Sequence, residues 1–345
     1  MVQKFISECP LLEDLFLCLC SHCKRIRVSH EPKLKILTVN GSFSIFCDSV
    51  SIVYDVENIE IVAPSLQQCT LINVDRSCVI DMAGCADLKY FNLTRADILD
   101  QEFHNLISKL PLLEKLILKD CVQERVSLSS NRLRELQVLH CDRLREIDID
   151  VPSLLTFSYV FDDNPASSIN VPKPCSWKVG FSLGCQRYEV LTCFDSLNFF
   201  LKLPYEIEDI SISIFIQATD SFNSDKLKKK KSLSLPREVG NLTIEVLAIP
   251  LSNYAALLDY LLWICYPRIL SMKTHAGQSS IKFIRWLYEK MMKRDAKCCD
   301  CHRIKCWQHY LKDFKIECFV PLKDPKPLHI DNLMAALSNL PLGTI

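Results

Sequence analysis

The stretch LPLLEKLILKDC, Leu110–Cys121, holds the pattern that decides the fold. Leu113, Leu116 and Leu118 fit L-x-x-L-x-L, in which the last two apolar positions alternate along a strand and the residues between them face the other way. The pattern returns in both directions. Before it stand Leu12-Leu15-Leu17, Leu34-Leu37-Val39, Leu66-Cys69-Leu71 and Leu88-Phe91-Leu93. After it come Leu133-Leu136-Val138, Leu144-Ile147-Ile149 and Leu154-Phe157-Tyr159. First-position spacings are 22, 32, 22, 25, 20, 11 and 10 residues.

Most of these spacings lie in or near the period of leucine-rich repeats, roughly 20–29 residues. The last two are too short for a whole repeat and leave that stretch open. Apolar pairs precede several units by seven or eight residues: Ile26/Val28, Ile59/Ile61, Val126/Leu128 and Ile147/Ile149. Pro32, Pro64 and Pro152 sit two residues before the following Leu, where a fixed φ and a missing N–H suit a turn. The unit is therefore strand, turn, return segment, strand, and such units bury their apolar faces only by stacking. Cys20, Cys121 and Cys141 fall just after strands, where the repeat consensus places Asn or Cys, and read as structural. Asp97–Leu110 reads as a helix within one repeat, with Asp97 or Asp100 as its cap. The expected fold is α/β: a leucine-rich-repeat solenoid, a curved parallel sheet of irregular repeats with helices on the convex side.

Regularity fades after Phe161. Residues 1–160 read as irregular repeats. Residues 161–250 read as degenerate repeats that continue the solenoid, with a Lys-rich loop at 225–231. Residues 251–345 read as a mixed helix and strand region. Strands are expected at Ser176–Ser182, Asp209–Ile216 and Asn241–Ile249, and helices at Ala255–Tyr266 and Ser280–Lys293. The lysine run lacks interleaved aromatics and reads as a solvated loop.

Composition narrows the function. Lys+Arg and Asp+Glu are both 41, so no global field favours nucleic acid or an anionic membrane. Only 7 residues are Gly, and neither G-x-G-x-x-G nor a P-loop, G-x-S-x-G or H-E-x-x-H occurs. The N-terminus lacks a secretory signal, and the apolar stretch Tyr254–Leu270 is broken by Asp259, Pro267 and Arg268. An intracellular chain, in cytoplasm or nucleus, with reduced thiols is expected. No cofactor is implied.

One cluster suggests metal. Cys298-x-x-Cys301 and Cys306-x-x-His309 could supply four zinc ligands. The loop between Cys301 and Cys306 is short for a structural pair, and Trp307, Tyr310, Leu311 and Phe314 read as core. The balance is against a metal site.

Five segments carry a family resemblance: LPLLEKLILKDC, EPKLKILTV (Glu31–Val39), RLREIDIDVPSL (Arg143–Leu154), LLDYLLWICYPRILSM (Leu257–Met272) and IKCWQHYLKDFKIECF (Ile304–Phe319). With them the chain resembles plant F-box/LRR-repeat proteins that have an FBD-like C-terminal region. The resemblance implies substrate recognition for a cullin-based ubiquitin ligase. The F-box that would dock a Skp-type adaptor is not among these residues, so adaptor and cullin are expected only where an F-box is supplied upstream. A repeat-only binding protein or decoy is the alternative, as is a small-molecule or hormone receptor on the concave face. The strands lack the convergent Arg and Lys that phosphate capture demands.

The expected binding positions are the residues between the strand leucines. They are Asp14, Phe16, Thr38, Asn40, Thr70, Tyr90, Asn92, Lys115, Ile117, Lys119, Glu135, Gln137, Glu146 and Asp148. Their mixed signs point to a protein substrate or partner, not to nucleic acid or a membrane.

Overall fold

A computed structural model of the chain describes residues 8–9, 11–18, 24–29, 33–47, 50–162, 165–172, 175–183, 197–203, 207–215, 237–248, 254–275, 283, 286–287 and 313–319. The chain divides into two compact units, Met1–Phe161 with Pro165–Ser176, and Asp162–Asn164 with Trp177–Ile345.

The strands of the first unit follow one another as β1 (Asp14–Cys18), β2 (Arg25–Ser29), β3 (Ile36–Asn40), β4 (Ser42–Cys47) and β5 (Val50–Asp55). Then come β6 (Asn58–Val62), β7 (Gln68–Val74), β8 (Val79–Asp81), β9 (Tyr90–Ala96) and β10 (Lys115–Lys119). The last are β11 (Arg125–Ser129), β12 (Glu135–Leu139), β13 (Glu146–Asp150), β14 (Thr156–Phe161) and β15 (Ser168–Asn170). Strands β1, β3, β7, β9, β10, β12 and β14 make one parallel sheet in that order. The return segments make two short parallel sheets, β2-β6-β8 and β11-β13-β15.

The backbone repeats as the sequence does. The carbonyl just before each long-sheet strand accepts two successive amides of the next repeat. Glu13 O takes Lys35 and Ile36, Lys35 O takes Gln67 and Gln68, and Gln67 O takes Lys89 and Tyr90. Lys89, Glu114 and Arg134 carry the series on to Leu155 and Thr156. The Pro-Ser-Leu turns add a side-chain tie. Ser65 Oγ donates to Leu34 O at 3.1 Å and Ser153 Oγ to Leu133 O at 2.8 Å, each reaching back one repeat. Inward side chains form the core: Leu37, Leu71, Leu93, Leu116 and Leu136 are completely buried, as are Ile59, Ile61 and Ile147 from the return strands.

The two irregular spacings now have causes. The 32-residue interval holds the antiparallel hairpin β4–β5, inserted after β3. The intervals of 11 and 10 are one repeat of 21: Leu144-Ile147-Ile149 lies on return strand β13, and Leu154 opens the next long-sheet strand. The helix lies at Asp100–Ser108, and neither expected cap is one. The N-cap is Leu99, without a side-chain cap. Asp97 instead pairs with Arg76 at 3.0 Å, and the Asp100 carboxylate accepts the amides of Glu124 and Arg125, both at 3.2 Å. Among the described residues of this unit, short strands occupy most of the side where the sequence led us to expect helices.

In the second unit, β16 (Ser176–Leu183), β17 (Ile207–Phe215), β18 (Arg237–Ala248), β19 (Cys265–His275) and β20 (Asp313–Phe319) pair in parallel and in chain order. Here the described parts of the crossovers include helix, over 197–202 and at Tyr254–Ile264. Arg237 at the start of β18 donates from Nη1 to the carbonyls of Leu201 and Leu203, which satisfies the C-terminus of the helix over 197–202. The helix expected to run to Tyr266 ends at Ile264 and the chain turns directly into β19. Pro267 is the reason: the residue before a proline is pushed from helical toward extended backbone. Of the helix expected at Ser280–Lys293, Phe283, Trp286 and Leu287 are described and helical. Tyr254 packs edge-on against Phe283 and Trp286 at 4.9 and 5.6 Å between ring centres. Among the described residues, no helix is long and apolar enough to cross a membrane.

Candidate protein-binding face

The first unit's long sheet turns alternate side chains away from its core. Register sets these into three rows, each crossing all seven strands. The central row runs Phe16, Thr38, Thr70, Asn92, Ile117, Gln137 and Ser158, with no ionisable group. One flanking row carries Asp14, Tyr90, Lys115 and Glu135, the other Asn40 and Lys119. Apart from exposed Asp14, Phe16 and Lys119, the expected residues on this face are half-buried.

A network fixes the middle of the grid. Lys115 Nζ lies 3.0 Å from Glu135 Oε1 on the next strand and 5.8 Å from the centre of the Tyr90 ring on the previous one. Gln137 Nε2 donates to Glu135 Oε1 at 2.6 Å, and Thr94 Oγ1 to Asn92 Oδ1 at 3.1 Å. These contacts hold the side chains in place before any partner arrives. Phe16 stands at the edge strand, 64% exposed.

Glu146 and Asp148 are not on this face. Both lie on β13 in the return sheet, where Glu146 pairs with Arg125 and Asp148 accepts from Asn170 Nδ2 at 2.8 Å. The half-length spacing of their segment is the physical reason, since a full repeat must pass before the chain regains the long sheet. Conversely, register adds Gln68, Ile72, Thr94, Leu139, Thr156, Ser158 and Val160, among others. The last three follow from Leu154-Phe157-Tyr159 by the same offset once the repeat of 21 is accepted.

The turns beyond the face share an unusual backbone. Asn73, Arg95, Asp120 and His140 have φ of 53°, 52°, 53° and 54°, the left-handed region. Each is followed by a buried residue: Val74, Ala96, Cys121 and Cys141. The left-handed step turns the chain under the sheet and drops that next side chain into the core. Asp120 N then donates to Leu139 O and His140 N to Val160 O, which extends the ladder by one bond. The buried thiols serve that turn. Cys121 Sγ donates toward Leu93 O and Lys119 O at 3.4 and 3.3 Å, and Cys141 Sγ toward Leu118 O and Leu139 O at 3.8 and 3.6 Å. Burial pushes the Cys69 thiol well above its ordinary range, and pushes Cys78 and Cys85 up to about 11. Such thiols are poor nucleophiles and act as small core side chains. Cys20 lies outside the described residues.

Among the described residues, no group of three or more His, Cys, Asp or Glu side chains could hold a metal ion. Cys298, Cys301, Cys306 and His309 lie outside the described residues, as does the lysine run at 225–231.

Residues 49–179 match the family described as At1g61320/AtMIF1, LRR domain. The match runs from the hairpin into β16 and takes in most of the repeats just described. The fold is thus a leucine-rich-repeat architecture, and domains of this kind are protein-interaction modules. No curated protein and no solved structure matches the chain.

Proposed function

We propose that the outward face of the first unit's long sheet captures a protein partner. The observation that carries this reading is the grid itself. An uncharged row, hydrogen-bonding at all but Phe16 and Ile117, lies between rows whose charges balance, Asp14 and Glu135 against Lys115 and Lys119. A polyanion would call for a surplus of cations, whereas a folded protein surface is met by this mixture. Tyr90, braced by Lys115, and exposed Phe16 are the aromatic anchors.

The test is site-specific crosslinking. A photo-crosslinking amino acid placed at position 92 or 137 should trap one partner, and the same residue at 148 should not. Trapping at 148 alone, or at no position, would sink this reading.

The F-box/LRR resemblance supports a finer proposal: the captured protein is a substrate, and the chain is the recognition part of a cullin-based ligase receptor. Skp-type adaptor and cullin would then engage through an F-box supplied upstream. Co-precipitation of the adaptor with the full transcript's product tests this separately. Capture without the adaptor leaves a repeat-only binding protein or a decoy.

A further inference from the structure

The helix Asp100–Ser108 interrupts the return side of the first unit. It stands in the sequence between β8, which ends one return sheet, and β11, which begins the other. A groove lies on each of its flanks. The one against β8 measures about 150 Å³. The one against β11 and β13 measures about 610 Å³, within the roughly 300–1,000 Å³ typical of ligand sites.

The backbone beside the larger groove has an open edge. Glu124 O accepts the amides of Arg145 and Glu146, and Ser130 N donates to Asp150 O. Successive residues of a parallel strand direct their N–H and C=O to alternate sides. Glu124, Val126, Leu128 and Ser130 therefore address β13, while Arg125, Ser127 and Ser129 address the groove. The Arg125 amide confirms the direction, since it donates to Asp100 Oδ2 on the helix. Asp100 thus supplies the first acceptor that an added strand would supply. Beyond it, Ser127 lines the groove with its main chain turned inward.

The charges of the groove are met within the protein. Arg125 pairs with Glu146, Arg145 faces Glu124 at 3.8 Å, and Asp100 is held by two amides. What complements such a groove is an uncharged row of alternating N–H and C=O groups. We infer that the groove between the helix and β11 takes a short extended peptide segment of a partner protein, added as a strand to the open edge at Ser127. This site is distinct from the long-sheet face and does not depend on it.

The probe is a library of random-sequence peptides displayed on phage and selected on the full chain. Selected peptides should bind Ser127→Ala like the wild type. They should lose about tenfold in affinity for Ser127→Pro, the worth of one hydrogen bond near the upper end of its net range. N-methylation of alternate peptide amides, read against the wild-type protein, should cost as much at one phase and nothing at the other. That second readout needs no folded variant. The inference is overturned if no peptide survives selection, if N-methylation is without effect at either phase, or if survivors respond to Tyr90→Ala and not to Ser127→Pro. Sedimentation showing that a second copy of the chain fills the edge also overturns it.

Discussion

The Cys121 thiol donates to the carbonyl oxygen of Leu93, 3.4 Å away on the strand of the preceding repeat. Cys141 stands in the same relation to Leu118, at 3.8 Å. A side chain that tolerates burial and still offers a donor therefore ties these two turns to the repeat before them. Cys121→Val keeps the bulk and removes the donor. It should lower stability by about 0.5–1.5 kcal/mol, the net worth of one hydrogen bond, since the Leu93 carbonyl keeps its place in the β9–β10 ladder. The urea midpoint measures this. An unchanged midpoint would reduce the thiol to packing alone.

Arg95 bears a left-handed backbone at φ 52° with an exposed side chain. The conformation costs an ordinary L-residue roughly 1–2 kcal/mol, and glycine adopts it freely at a smaller entropic loss. Arg95→Gly should therefore raise stability by several tenths of a kcal/mol to about 1 kcal/mol. A drop in thermal midpoint would show that the arginine side chain contributes more than the strain costs.

Buried Tyr159 accepts the amide of Ala166 at 2.8 Å through its hydroxyl, while its ring packs against Phe157 and Phe161. Tyr159→Phe preserves the packing and strands a buried N–H. A loss of about 1–3 kcal/mol is expected in denaturant unfolding. Amide exchange should report faster opening at Ala166 than at the long-sheet strands.

Alkaline pH should weaken the fold. The Cys78, Cys85 and Cys175 thiols are pushed from the ordinary 9.0 up to about 11, chiefly by burial. A raised folded-state pKa means that the fold favours the protonated thiol. The resulting stabilisation is complete below the unfolded value near 9 and is lost as pH climbs through about 11. Urea midpoints should be flat up to about pH 8 and fall above it, and the fall should shrink in Cys85→Val. A profile that is identical in the variant would remove Cys85 from this account.

The binding grid predicts which substitutions matter. Tyr90→Ala and Gln137→Ala should each weaken partner capture by about tenfold, whereas Asp148→Ala should leave it unchanged. Equal loss at all three would place the partner elsewhere.

The repeat itself was legible from residue order alone. Leu113, Leu116 and Leu118 and their equivalents specify strand, core face and stacking, because a period-2 strand inside a period of 20–29 residues has few other ways to bury its leucines. The return strands were also visible, as the pairs Ile26/Val28, Ile59/Ile61, Val126/Leu128 and Ile147/Ile149. What local pattern could not decide was membership. Leu144-Ile147-Ile149 has the same period as Leu133-Leu136-Val138, and both alternate between buried and outward-facing positions. Only pairing partners assign Glu146 and Asp148 to the return sheet and Glu135 and Gln137 to the long one. The left-handed turn at Arg95 was equally hidden, because arginine does not favour that backbone locally. The burial of Ala96, the residue that follows, imposes it. Sequence determined the repeat, since hydrophobic periodicity is a property of neighbours along the chain. Tertiary structure decided which face each polar residue presents, since register is a property of neighbours across it.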